Sequence, residues 1–539
     1  MYQHIVDYIV VGAGSAGAAL AHRLTESGRY RVLLLEAGGE THFLSRVPVS
    51  FARFINRPGV NWLYSSEPEA NTGGRPIPVP RGRMLGGSSA INGMVFVRGQ
   101  AQDFDTWAQL GNRGWSYQDV LPFFKRLESY DGGSSEFRGR EGPIKVSDLA
   151  ESGPLYDSLF EAALTAGIKR NDDYNGPDQE GIAMTQASIR NGWRNSTARC
   201  YLEPARHRKT LQIETNAQAE SLILDGKRCT GVRYAVQGEK REAKALREVI
   251  VSAGAIASPQ LLELSGIGKP EHLKSVGIEV RHALPGVGEN LRDHWAPRMK
   301  WHVGHHGVTY NETGRGVGAV WQGLKYALTG AGLLGIPASP MRAYFKTREG
   351  LSGPDACFTV MPFIVTPQMT LAKQPGLTIV VHQLRPESTG SIHIASANPR
   401  QQPAIRFNFL AESIDRDCLV GAMRITRRVF EAPAMQWLGP SEVAPGTHVQ
   451  TDAQFLDWVA KNAETAYHPV GTCKMGTAND PMAVVDDRLR VRGIGGLRVA
   501  DASIMPTLTS GNTNAASIMI GEKCSSMVLE AANAVSVAA

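Results

Sequence analysis

Two groups of residues in this 539-residue chain have the types and spacing for chemistry. The first is Gly12-Ala-Gly14-Ser15-Ala-Gly17, with Glu36 about twenty residues further on. Gly12 permits a tight turn, Gly14 lets backbone N–H groups approach a pyrophosphate, and Gly17 lets the following helix pack on a sheet. Glu36 can accept hydrogen bonds from a ribose 2′-OH and would repel a 2′-phosphate. The pattern predicts a dinucleotide site and fits FAD and NAD alike. A second glycine turn, Gly86-Gly87-Ser88-Ser89, presents N–H groups and hydroxyls to an anion or to polar ring atoms. The other group is Tyr467-His468-Pro469 with Ser510-Gly-Asn512-Thr-Asn514. An imidazole with an unperturbed pKa of about 6.5 suits a base working near neutrality. The asparagines, taken alone, read equally as turn and capping residues.

These residues need elements to position them. Asp7–Val11 reads as an apolar strand, followed by a helix and a second strand, Arg31–Leu35, that ends in Glu36. Residues 41–80 are irregular, rich in Pro, Gly and Asn, with Phe51, Phe54, Trp62 and Tyr64. They read as a connecting excursion or as a lid over a cofactor. Apolar spacing predicts helices over Tyr117–Leu127 and Glu151–Gly167. Leu211–Thr215 and Glu248–Ser252 read as strands, the second followed by a helix starting around Ser258-Pro259. Alternating runs bounded by Pro and Gly (Cys357–Phe363, Leu377–His382, Gly390–Ala395) predict an antiparallel sheet. Thr451-Asp-Ala-Gln454 is a capping box for a helix carrying Phe455, Trp458 and Val459. That helix ends before His468, which Pro469 biases toward extended backbone. Leu497–Asp501 reads as a strand ending in an acid, and a last helix runs through Glu522.

With 539 residues, 42% hydrophobic and 20% charged, the chain has the composition of a soluble globular protein of two or more domains. A net charge of +6 without a basic run gives no reason to expect nucleic acid. Six cysteines without a CxxC pair fit reduced thiols in a cytosol. The first strand begins a few residues after Met1, leaving no room for a leader, and no apolar run is long enough to span a bilayer. A cytoplasmic protein is expected, and peripheral membrane contact is compatible with the sequence. His302, His305 and His306 have neither metal-ligand spacing nor an obvious carboxylate partner, so no metal is expected.

Four further segments, read with the first turn, resemble the glucose–methanol–choline (GMC) oxidoreductases. They are Arg81–Phe96, Gly254–Gly268 (GAIASPQLLELSGIG), Gly286–His294 (GVGENLRDH), and the block from Tyr467-His468-Pro469 through Asp501 to Asn512. The resemblance spans nearly the whole chain and implies an α/β, Rossmann-like FAD-binding domain. An α+β substrate domain with an antiparallel sheet completes the implied two-domain architecture. It assigns 1–150, 191–295 and 451–539 to the FAD domain, and 151–190 and 296–450 to the substrate domain. Gly12, Gly14, Ser15, Gly17, Glu36, Ala37, Arg81, Gly86, Gly87, Ser88, Asn92, Gly93 and Val95 are implied to bind FAD. Ala217, Ala253, Asp501, Ala502, Asn514 and Ala515 complete that set. His468 and Asn512 occupy the catalytic positions, His468 taking the hydroxyl proton while Asn512 orients the alkoxide and hydride passes to flavin N5. A helix starting near Asn514 would point its positive end at the flavin's pyrimidine edge. Some family members hold FAD covalently through a histidine where this chain has Ile91, so non-covalent FAD is expected. Trp62, Tyr64, Met361, Phe363 and Tyr467 are pocket candidates, and their character suggests a hydrophobic or aromatic primary alcohol. The implied acceptor is quinone-like; the alternative function is an alcohol oxidase using O2, and the remote one an FAD-containing hydroxynitrile lyase without redox turnover.

Overall fold

A computed structural model describes residues 3–149, 151–366 and 368–538. The apolar runs at Tyr8–Val11 and Val32–Leu35 are buried throughout, the pattern of strands covered on both faces. They form the centre of a seven-stranded sheet, six of whose strands follow the order Leu211–Glu214, Val32–Leu35, His4–Val11, Glu239–Val251, Arg228–Val236 and Ala217–Asp225, with Leu497–Val499 as the seventh. The first four strands run parallel, and the last two extend Glu239–Val251 as an antiparallel hairpin. Glu239–Val251 is long enough to serve two partners on one edge. Residues 239–244 pair with the hairpin, and Val249–Val251 pair in parallel with Leu497–Val499.

Helix Ser15–Leu24 lies on this sheet against the C-terminal helix Asn514–Ala538. A Cβ on Gly17 would stand 1.9 Å from the carbonyl oxygen of Gly12, and one on Gly521 would stand 2.4 Å from that of Ala16. The glycines set how closely helix, turn and helix can stack.

The second layer is a six-stranded antiparallel sheet in the order Ser441–Ala444, Arg298–His302, Gly376–Gln383, Ala356–Met361, Met341–Phe345 and Gly181–Met184. Helix Ser413–Glu431 covers it and packs in turn on helix Pro154–Thr165. Gly390–His393, read from its alternation as part of this sheet, instead pairs with Glu289–Leu291 and Ala404–Arg406 in a separate three-stranded sheet.

Helix Asp452–Asn462 has the capping box, with the Thr451 hydroxyl accepting from the Gln454 N–H. Phe455 and Val459 pack into the core of the six-stranded sheet, so by packing this helix stands with the substrate layer and not with the dinucleotide-binding residues of 451–539. The helix expected at Ser258-Pro259 begins four residues earlier, at Gly254, and Pro259 lies inside it. Pro259 cannot donate to the carbonyl of Ala255, and the Thr472 hydroxyl takes its place at 2.6 Å. Residues 41–80 hold short 3₁₀ turns, a helical turn at Phe51–Phe54, and the pairing of Tyr64–Ser65 with Pro78–Val79. All six cysteines are buried and unpaired. No helix among the described residues is long and apolar enough to cross a membrane.

Candidate functional site

A cavity of about 740 Å3 runs between the two layers, within the range of roughly 300–1,000 Å3 typical of ligand sites. Three helix N-termini open onto it, those of Ser15–Leu24, Gly254–Leu264 and Asn514–Ala538. The N-cap of the first is Gly14, so no side chain competes for the first-turn N–H groups. Gly87, in left-handed backbone at φ 50°, packs so closely on this turn that a Cβ there would stand 2.8 Å from the Gly14 Cα. The Ser15 hydroxyl donates to Asn514 Oδ1 at 2.7 Å and ties two of these helix starts together.

Two carboxylates line the cavity and are held by backbone N–H groups. Glu36 accepts from the N–H groups of Ala13 at 3.0 Å and Gly38 at 2.8 Å, and burial pushes its pKa up to about 7. Asp501 accepts from Gly254 N–H at 2.9 Å, Ser258 Oγ at 2.5 Å and Ser503 N–H at 2.8 Å. An elongated cleft with free first-turn N–H groups and an acid at the end of the second strand fits the diphosphate and ribose of a dinucleotide.

His468 also lines the cavity. Its backbone is held by the N–H donating to Asp293 Oδ1 at 2.8 Å, while the Thr465 hydroxyl donates to the other oxygen of the same carboxylate. Tyr467, just before it, takes left-handed backbone at φ 68° with its N–H donating to Thr465 Oγ1 at 2.7 Å. The imidazole is bonded on both sides. Nε2 lies 2.9 Å from Asn512 Nδ2, and Nδ1 lies 2.9 Å from Nδ1 of His294, whose Nε2 lies 2.9 Å from the Leu384 carbonyl. Arg342 Nη1 donates to Asn512 Oδ1 at 3.3 Å, which orients the amide with its NH2 toward His468.

These contacts settle the tautomers. The Leu384 carbonyl can only accept, so His294 carries its proton on Nε2 and accepts at Nδ1. His468 then carries its proton on Nδ1, leaving Nε2 as a bare acceptor facing Asn512. Burial, followed by the nearby His294, His382, Arg81 and Arg342, holds the His468 pKa well below the ordinary histidine value. His294 is pushed down in the same direction by burial and by His382, and His382 itself falls to about 4, mainly through burial. A neutral base with a fixed lone pair beside an amide donor can take a proton from a hydroxyl and steady the oxygen left behind.

The GMC oxidoreductase family signatures match residues 6–296 and 386–521. The chain belongs to the GMC oxidoreductase family. It is 41% identical over 529 residues to an oxygen-dependent choline dehydrogenase of Brucella suis, covering 97% of this chain and 95% of the relative. It is 40% identical over 533 residues to the protein of that name from Vibrio vulnificus, with 98% and 95% covered. Among solved structures, pyridoxine 4-oxidase from Mesorbium loti matches with a TM-score of 0.87 at 30% identity, covering 96% of this chain and 98% of that one. A formate oxidase matches with a TM-score of 0.91 at 25% identity, covering 98% and 99%. This GMC oxidoreductase is an FAD-dependent enzyme acting on alcohols, with the two-domain fold of its family.

Most residues singled out in the sequence stand on the cavity wall of this GMC oxidoreductase. They include Gly12, Gly14, Ser15, Glu36, Ala37, Arg81, Gly87 and Ser88, then Asn92, Gly93, Val95, Ala217, Ala253, Asp501, Ala502, Asn512 and Asn514. Trp62, Tyr64, Met361, Tyr467 and His468 line it as well. Four do not. Gly17 and Gly86 sit behind the wall, Gly17 against the Gly12 carbonyl and Gly86 with its N–H donating to the Ala13 carbonyl at 2.8 Å. Ala515 is buried in the core, because Asn514 and Ser517 share the cavity side of the helix and Ala515, one residue beyond Asn514, is turned about 100° away. Phe363 packs with Tyr310 and Ile336, since the strand carrying Met361 ends there and Pro362 turns the chain aside.

His294, His382, Arg342 and Lys300 went unnoticed in the sequence. His294 closes the Gly286–His294 segment, which carries the family resemblance, and the other three gain meaning only from the strand register. His306 does have a carboxylate partner, Glu312 at 2.7 Å, in an exposed pair. The group of Glu263, His272 and His393 has metal-ligand atoms within 4.8 Å of one another. Both ring nitrogens of His393 are engaged by carboxylates, Glu263 at 2.7 Å and Glu289 at 3.3 Å, which describes a bridging imidazolium.

Proposed function

We propose that this enzyme oxidises a primary alcohol of hydrophobic or aromatic character, with His468 Nε2 as the base and Asn512 as the oxyanion donor. The reading rests on the 2.9 Å contact between His468 Nε2 and Asn512 Nδ2 at the cavity wall, with both protonation and amide orientation fixed from behind. Bound FAD supplies the hydride acceptor. The protein holds the hydroxyl between His468 and Asn512, takes its proton at Nε2, and keeps the resulting imidazolium bonded through Nδ1–H to His294. Trp62, Tyr64, Met361 and Tyr467 on the wall favour an apolar or aromatic body in the substrate.

The acceptor we assign is quinone-like, in keeping with the relatives named dehydrogenases; the oxygen-dependent and oxidase names among relatives and solved structures make O2 the second reading. An anaerobic screen of alcohols tests the first part: bleaching of the flavin is expected, and none with any aryl or alkyl alcohol would sink the reading. Reoxidation then separates the acceptors, with a quinone expected to outpace air. Ile91 stands on the cavity wall where a covalent attachment would need a histidine, so acid precipitation should leave the yellow colour in the supernatant. Colour retained in the pellet would refute non-covalent FAD.

A further inference from the structure

The wall of the cavity formed by the six-stranded sheet carries an unusual charge pattern. Strand register places Arg298, Val380, Thr359 and Arg342 on one rung across four adjacent strands. Lys300, Thr378 and Met361 form the next rung on the same face, and all these side chains line the cavity. No carboxylate stands among them. The lining acids are Glu36 and Asp501, already bonded by backbone N–H groups and Ser258, and Glu464. Glu464 is taken by Arg298 at 2.6 Å and accepts from the Tyr467 hydroxyl at 3.2 Å. Arg81, the fourth lining cation, donates to the carbonyls of Pro80 and Tyr467 at 2.6 Å each.

Two cations remain without a carboxylate in contact. Lys300 has neither a hydrogen bond nor an ion pair among the described residues; burial and then Arg298 disfavour its charged form, and Glu464, held by Arg298, offsets them only in part. Arg342 is 2% exposed, its Nη1 bonds only the Tyr344 hydroxyl and the Asn512 amide, and its buried Nε has no partner. Two cations facing a cavity with no carboxylate in contact cost free energy that an entering anion would offset. Their strands are three places apart in the sheet, about 14 Å at the usual strand spacing, with Arg342 bonded to Asn512 and Lys300 further along the same cavity wall.

We propose that the alcohol taken by this enzyme carries an anionic group, a carboxylate in the simplest case, that meets Lys300 while the hydroxyl end lies on the Arg342 and Asn512 side. The inference rests on the alcohol-oxidising function proposed above and names its substrate class. It sets the enzyme apart from relatives named for choline, since a quaternary ammonium would meet this wall with like charge.

The test uses the FAD-loaded enzyme and matched ligands. In anaerobic flavin reduction, 4-(hydroxymethyl)benzoate is expected to exceed benzyl alcohol in reduction rate over dissociation constant by about tenfold or more, with choline poorest. In Lys300→Met that ratio should collapse toward one whatever the absolute rate, and Lys300→Arg should restore it. Equal reduction of the two aryl alcohols by the unmodified enzyme, or preference for choline, overturns the proposal without needing any variant. A second arm titrates benzoate, benzyl alcohol and benzyltrimethylammonium into the oxidised enzyme and follows the flavin absorbance. Tightest binding of benzoate supports the anion site, and tightest binding of the cation or equal binding overturns it. If no alcohol bleaches the flavin, the alcohol-oxidising reading fails, while the titration still decides whether the wall binds anions.

Discussion

His468 and His393 each have both ring nitrogens bonded, yet the protein drives their proton affinities in opposite directions. His468 faces a second imidazole and an amide, and burial with the neighbouring His294 and His382 pushes its pKa well below the usual value. For His393, burial alone would lower the pKa, but Glu263 and Glu289 on its two nitrogens raise it to about 9. One is a neutral base with a bare lone pair, the other an imidazolium that ties helix Gly254–Leu264 to strands Glu289–Leu291 and Gly390–His393. Residue type does not separate the two roles. The separation comes from whether the partners are neutral or anionic. A carboxylate behind the His468 imidazole, the base we propose, would have made it a stronger base at rest. Here a neutral imidazole fixes the tautomer without adding charge.

The comparison breaks most visibly at His468 itself. His468→Ala should slow anaerobic flavin reduction by about two to four orders of magnitude, the scale of a lost general base. Stopped-flow rates near those of the unmodified enzyme would remove His468 from the chemistry. A smaller effect sharpens the role of His294. His294→Ala leaves the His468 Nδ1–H without its acceptor, and a fall of roughly tenfold in the reduction rate is expected. His294→Asp places an anion there instead, so the acid limb of the pH profile for flavin reduction should move upward. A limb that stays put in His294→Asp would mean that His294 merely fills space.

The smallest effect concerns stability, where the two clusters have opposite signs. The folded-state pKa of His393 lies above the unfolded value of about 6.5, so its ion triad contributes fully below that pH and is lost as pH rises through about 9. His294, His382 and His468 have lowered values, so their contribution is present above about 6.5 and is lost as pH falls below it. Thermal melts should show Glu263→Gln destabilised by about 1–3 kcal/mol, with a flatter loss of stability between pH 7 and 9. An unchanged slope across that range would show that His393 is not the group titrating.

The helix Tyr117–Leu127 and the strand at Leu211 were legible because a single periodicity governed each segment. The boundary at Ser258-Pro259 was misread because a local start signal was outweighed by a tertiary contact. Asp501 accepts from the Gly254 N–H, and Thr472 occupies the carbonyl that Pro259 leaves open, so the helix starts earlier than capping rules suggest. Phe363 was misplaced for a similar reason, alternation being projected past the end of its strand.

By itself the sequence determined the glycine turn with its terminal acid, the His-Pro segment and the asparagine turn, because each is a short run whose backbone demands only certain residues can meet. Tertiary structure alone decided which imidazole nitrogen is free and which cations go unpaired. The contacts responsible join residues far apart in the chain, His294 to His468, Arg342 to Asn512 and Arg298 to Glu464. Proton position and net charge depend on the partners that folding brings within about 3 Å, and no local pattern carries that information.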